Sequence, residues 1–220
     1  NNLVASDLNG IKDVFLHDTQ TGVTRLISVD SNGVQADSAS ENPSISDDGL
    51  FVSFDSFAGN LVRGDTNWNR DVFLHDTQTG ATSRISVDSS GSQGNGASGW
   101  SELSADGRFA SFASYASDLD AADANGASDV FVHDTQTGAT VRVSVDSNGV
   151  EGDGYSHQPS ISADGRYVAF ESAASNLVSG DGNGSADVIV NDTQSGTTNR
   201  VSVDSAGIHG DSASYEPSIS

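Results

Sequence analysis

The chain has 220 residues, 31 Asp and Glu against nine Lys and Arg, a formal net charge of -22, 24 glycines, and no cysteine or methionine. The missing cysteine excludes a disulfide framework, a thiolate metal site and a thiol nucleophile. So negative a chain is not expected to hold nucleic acid through its phosphates or to bind an anionic membrane surface. No run approaches the roughly 18 apolar residues of a membrane helix, so membrane insertion is not expected either.

In chain order, the phrase beginning at Asp13 returns at Asp71, where it reads DVFLHDTQTGAT, at Asp129 as DVFVHDTQTGAT, and more loosely at Asp187, each time after 58 residues. Asp30, Asp88, Asp146 and Asp204 keep that period, as do Ser46, Ser104, Ser162 and Ser220. The repeats are set at 2–59, 60–117, 118–175 and 176–220, and the 220 residues fall 12 short of four complete periods. One strand, the counterpart of those carrying Phe54, Phe112 and Phe170, is missing from the set. A piece of a longer array, or a ring closed by both termini, accounts for this.

Within a repeat the period is two, which predicts strands rather than helices. Asp48-Gly49, Asp106-Gly107 and Asp164-Gly165 are hairpin turns. The third of them joins Ser160–Ser162 to Arg166–Glu171. Val130 to His133 forms a second kind of strand, apolar without alternation and therefore buried on both faces. It ends in the turn Asp134 to Gly138, and Thr140 to Val145 alternates as the next strand. Two polar loops, exemplified by Ala174 to Ala186 and Ser147 to Gln158, complete about four short strands per repeat. The fold class is all-β, a β-propeller of four-stranded blades of about 58 residues, four repeats with one incomplete. A β-solenoid is the competing architecture, but its rungs are shorter and lack paired hairpin turns.

Pro159 to Phe170, reading PSISADGRYVAF, followed by Asp187 to Asp192, DVIVND, resembles the WD40-like PD40 blades of TolB-type propellers. The resemblance covers all four copies and implies the propeller fold. Ile161 and Ala163 stand where that family often has Trp and Pro, and the longer blade carries its excess in two acidic loops.

The first of these loops holds the main chemical signal. Asp7, Asn9 and Asp13 recur as Asp65, Asn67 and Asp71, as Asp123, Asn125 and Asp129, and as Asp181, Asn183 and Asp187. Oxygen side chains at the first, third and seventh positions suit a hard cation such as Ca²⁺, one per repeat. Gly10, Gly126 and Gly184 permit the turn, and Trp68 interrupts that rule in the second copy. The same residues also suit Asx turns with no ion bound, because duplication copies turns as faithfully as ligands. The loop around Asp146 and Asp153 reads as a turn. His17, His75 and His133 read as structural hydrogen-bond partners, and Arg84, Arg142 and Arg200 as partners of carboxylates or covers of a strand face.

No nucleophile, base and orienter assemble in the sequence, so catalysis is not expected. The reading is a calcium-binding repeat module of a secreted or cell-surface bacterial protein, used in binding, adhesion or structural assembly. Its partners would be proteins or glycans. Three alternatives stand beside it. One is a lectin-like or substrate-binding propeller accessory to an enzyme, and another is an extracellular fibre subunit that self-associates through truncated strand edges. The third is an acidic surface adapted to salt, with no specific ion.

Overall fold

The computed structural model describes residues 3–220; residue 2, where the first repeat is set to begin, lies outside them. The architecture is all-β. The first pair of strands is β1 (Phe15–His17) and β2 (Thr24–Leu26). Three antiparallel four-stranded sheets follow. The first contains β3 (Ser40–Ile45), β4 (Phe51–Ser56), β5 (Asp71–Asp76) and β6 (Thr82–Arg84). The second contains β7 (Ser98–Leu103), β8 (Phe109–Ser114), β9 (Asp129–Asp134) and β10 (Thr140–Arg142). The third contains β11 (Ser156–Ile161), β12 (Tyr167–Ser172), β13 (Asp187–Asp192) and β14 (Thr197–Arg200). Strands pair in chain order within each sheet, and β3, β7 and β11 are neighbouring edges of consecutive sheets.

The uninterrupted apolar runs are explained by two different cores. Phe73 faces a cluster with Val14, Ile27, Val52 and Phe54. Its neighbours Val72 and Leu74 face another with Ile85, Leu103 and Phe112. Each core therefore lies between consecutive sheets, and a strand such as β5 feeds two of them. Across β4 and β5, Phe54 is the register partner of Phe73, with ring centroids 5.8 Å apart; Phe112 and Phe131 repeat the pair in the second sheet. In the third, Phe170 pairs with Ile189.

Hydrogen bonds also join successive sheets. Thr82 Oγ1 donates to the Val29 carbonyl at 2.6 Å, and Thr140 to Val87 and Thr198 to Val145 repeat the bond. His75 and His133 are buried with Nδ1 2.9 Å from the hydroxyls of Thr82 and Thr140, and Asn191 takes the same place against Thr198. The histidines are structural, as the sequence suggests.

Two strands differ from the sequence reading. The outermost strand stops at Arg142 rather than reaching Val145, because the Ser144 hydroxyl is drawn to Asp129 and to the Val130 amide. The innermost strand is longer than expected, starting at Ser156 inside a stretch read as loop. Its register shifts between His157 and Ser160, as it does between Glu41 and Ser44 and between Gly99 and Glu102. Asn42, Trp100 and Gln158 occupy these bulges with φ of 49°, 54° and 50°.

The turn glycines carry a second duty. Gly107 has φ of 67°, and a Cβ there would lie 2.5 Å from Phe51 Cδ2 of the preceding sheet. Gly107→Ala is expected to cost about 3 kcal/mol, from left-handed strain plus overpacking, measured by denaturant unfolding. Trp68 is the opposite case. It is 92% exposed, with φ of 58° where the other three copies place glycine at 64° to 71°. Trp68→Gly is expected to stabilise by about 0.5 kcal/mol, the relief of left-handed strain less the added freedom of the unfolded chain.

Candidate metal centre

The four Asp-x-Asn-x-x-x-Asp loops all precede the third strand of a repeat, and Asp71, Asp129 and Asp187 are the first residues of β5, β9 and β13. The structure separates the roles of their side chains. Every Asn makes an Asx turn: Asn9, Asn67 and Asn183 accept the amides of Ile11, Asn69 and Ser185 at 2.8 to 3.0 Å, and Asn125 accepts that of Ala127. Each also donates Nδ2 to a carbonyl 27 residues on, at Ala36, Gly94, Gly152 and Gly210. Both polar atoms of each Asn are thus engaged in fastening the loop to the segment after the outer strand.

The first and seventh Asp side chains do converge. The seventh is the anchor, taking a hydroxyl hydrogen bond from Ser28, Ser86, Ser144 or Ser202 to Asp13, Asp71, Asp129 or Asp187 at 2.6 to 2.8 Å. What lies between the two carboxylates changes from copy to copy. Gln35 Nε2 donates to Asp7 at 3.2 Å and to Asp13 at 2.9 Å. Gln93 Nε2 donates to Asp65 at 2.9 Å and to Asp71 at 3.0 Å. The corresponding residue is Glu151 in the third copy and His209 in the fourth.

Arginines supply counter-charge, the first of their two sequence readings. Arg84 Nη1 lies 3.0 Å from Asp71 and 3.8 Å from Asp65, and Arg200 Nη1 lies 3.1 Å from Asp187 and 3.5 Å from Asp181. The first copy has Leu26 there.

The third loop is different in charge. Asp123, Asp129 and Glu151 present carboxylate oxygens within 4.8 Å of one another and could hold a metal ion; among the described residues no other such cluster occurs. Asp120 adds a fourth carboxylate, where the other copies have Val4, Val62 and Val178. One guanidinium serves three of the four, with Arg142 contacting Glu151, Nη1 3.3 Å from Asp129 and Nη2 3.1 Å from Asp120. Asp123 Oδ1 is buried with no hydrogen-bond partner. Burial pushes Asp129 up to about 6 despite Ser144 and Arg142. Burial and the neighbouring Glu151 carboxylate raise Asp123. The arrangement is an anionic pocket, short of positive charge, held by a rigid strand start.

Glu151 was not singled out by the sequence reading. Comparing positions 35, 93, 151 and 209 as one column carries the signal, since only one of Gln, Gln, Glu and His is acidic. The Asp146 loop is a plain Asx turn, with Asp146 accepting the amides of Asn148 and Val150 at 2.8 Å.

No protein-family model matches the chain, and no curated protein is similar to it in sequence. Among solved structures it is similar to TolB from Acinetobacter baumannii at 20% identity and a TM-score of 0.52, over 86% of this chain and 37% of that one. It is similar to a putative TolB from Agrobacterium tumefaciens at 16% identity and a TM-score of 0.55, over 89% of this chain and 58% of that one. The tricorn protease is similar at 14% identity and a TM-score of 0.50, over 81% of this chain and 15% of that one. The chain thus spans well under two thirds of these proteins. At such identities the likeness is one of fold, and with the four-stranded sheets it shows a β-propeller.

Proposed function

We propose that this propeller module is non-catalytic and binds Ca²⁺ in its third loop, within a bacterial protein that works in the secreted or cell-surface environment. Its task there is binding, adhesion or assembly. The observation that carries the reading is the Asp123, Asp129 and Glu151 cluster, with its excess of carboxylates over guanidinium. Carboxylate oxygens on a rigid frame suit a hard divalent cation, and Ca²⁺ accepts irregular oxygen geometry more readily than Mg²⁺. One ion per chain follows, rather than one per repeat. In the first two copies the amides of Gln35 and Gln93 already bridge the paired carboxylates, and Arg84 and Arg200 each serve two carboxylates where Arg142 serves three. Extracellular calcium is abundant enough to fill a site of about 10⁻⁴ to 10⁻³ M. The paired aspartates are tied into loops and strand starts.

Thermal unfolding of chelated protein against added Ca²⁺, Mg²⁺ and matched NaCl tests this. At ten times the dissociation constant Ca²⁺ is expected to add about 1.4 kcal/mol, a rise of about 4 °C in Tm. Glu151→Gln, which copies the first two repeats, is expected to abolish the rise. An equal response to NaCl, or an unchanged response in the variant, would remove the metal reading.

A second measurement reads the same pocket without metal. A carboxyl whose folded pKa is raised from 3.8 to about 6 makes the folded state bind more protons, so its contribution to stability falls as pH climbs through that window. His75 and His133, lowered by burial, act in the opposite sense, so the comparison must be with a variant. The Tm of Asp129→Asn relative to the parent is expected to rise by about 5 °C between pH 4 and 7 in chelator. With saturating Ca²⁺ that relative gain is expected to disappear.

A further inference from the structure

Copies of one repeat begin identical, so unrepeated residues that gather in one place require a cause of their own. The loops hold several, such as Trp68, Asp120 and Glu151. The end of the molecule where β3, β7 and β11 begin holds many. A cavity of about 360 Å³ opens there, with Asn42, Trp100, Glu102, Gln158, Pro159 and Glu216 in its lining. Glu102 stands where the other copies have Ser44, Ser160 and Ser218, and Trp100 where they have Asn42, Gln158 and Glu216. Among the described residues neither Glu102 nor Glu216 has a cationic partner within ion-pair distance.

The indole of Trp100 is 37% exposed and is held in place by further unrepeated residues. Arg70 Cζ lies 4.8 Å from its ring centroid, and the same guanidinium is 3.0 Å from Asp55, a carboxylate buried completely. Gly99 makes the room: a Cβ there would sit 3.0 Å from Arg70 Cζ. His157 lies 6.4 Å from Trp100, ring to ring, and is stacked on Tyr155 at 4.9 Å. Behind it stands the buried Glu171 carboxylate, 3.5 Å from Nδ1. In the other copies Arg70 is matched by Lys12, Ser128 and Ala186, and Tyr155 by Ala39, Ala97 and Ala213. Three sheets therefore contribute to fixing one indole beside two unpaired carboxylates.

We propose that this cleft binds a lysine or arginine side chain presented by an extended peptide of a partner protein. The aliphatic stem lies along Trp100 and Pro159, and the charged end meets Glu102 and Glu216. Charge complementarity selects the occupant, because the cleft is acidic and the whole chain, at -22, draws cations toward it. Its volume is at the low end for ligand pockets, which suits one long side chain better than an oligosaccharide. With Arg70 already over the indole, a sugar ring finds the usual stacking surface occupied. The proposal is independent of the third-loop cation.

The test uses the chain with Trp68→Gly, which leaves Trp100 as the one indole. Capped pentapeptides with a central Arg, Lys or Glu among glycines are titrated at 150 mM salt, by indole fluorescence and by calorimetry. The Arg and Lys peptides are expected to bind and change the emission, and the Glu peptide is not. Glu102→Ser, Glu216→Gln and Trp100→Asn each install a residue found in another copy, so folding is preserved. Each is expected to weaken binding about tenfold, as for loss of a charged hydrogen bond or an apolar wall. A control removes two exposed charges elsewhere by Asp47→Asn with Asp211→Asn, and should change affinity less than about twofold. If the control weakens binding as much as the cleft variants, the attraction is general to the acidic surface and the proposal fails. It fails equally if neither cationic peptide is bound up to about 10 mM.

Discussion

The carboxylate of the seventh loop position is the point to which the rest of each repeat is tied. Asp71 is completely buried at the start of β5 and accepts the Ser86 hydroxyl at 2.8 Å; the same oxygen of Ser86 takes the Val72 amide at 3.1 Å. One side chain thus joins the start of the third strand to the end of the fourth. Gln93 and Arg84 then bring in the next loop and the outer strand. A buried carboxylate is stable only if its oxygens are occupied. The repeat must therefore surround this Asp with donors, and the choice of donor sets the local charge.

That constraint explains how one scaffold yields unlike sites. With Gln35 or Gln93 the amide lies between two carboxylates as a neutral bridge. With Glu151 the bridge becomes a third anion while the anchor Ser144 to Asp129 is unchanged. The frame is kept and the chemistry turned by one residue, 28 positions from the first Asp of its loop and brought beside it by the isolated bridge between Val145 and Glu151, the strap from Asn125 to Gly152 and the Ala124 amide on its carboxylate. Asp120, in place of valine, strengthens the same pocket from the other side of Arg142.

What could be read from sequence was what is local. The hairpins at Asp106-Gly107 and Asp164-Gly165, the double-faced strand at Val130 to His133 and the spacing of the paired aspartates all depend on neighbours within a few residues. The first half of the innermost strand was hidden because SHQPSI shows neither alternation nor β-branched enrichment, and its bulge puts Gln158 at a left-handed angle no composition announces. Its burial comes from the adjoining sheets. The asparagines were ambiguous for a different reason, since the same Oδ1 serves an Asx turn or a cation. The structure shows the turn, with Oδ1 of Asn67 accepting the Asn69 amide while the distant Gly94 carbonyl takes up Nδ2.

Exact repetition is evidence of scaffold, and departures from it are informative according to where they fall. Leu26 against Arg84 alters the charge of one loop, and Trp68 against glycine changes only an exposed turn. At the end where the inner strands begin the departures touch one another: Gly99 admits Arg70, Arg70 meets buried Asp55 and lies over Trp100, and Trp100 neighbours His157. Isolated substitutions drift independently, but a glycine that makes room for an arginine from the preceding sheet is useful only while that arginine is present. Asp55 likewise requires the guanidinium beside it, because burial pushes its carboxyl up to about 6 even against the lowering effect of Arg70. The members of the set therefore depend on one another physically. That dependence separates them from the scattered differences elsewhere in the chain, and it links both buried carboxylates, Asp55 and Glu171, to the orientation of a single exposed indole.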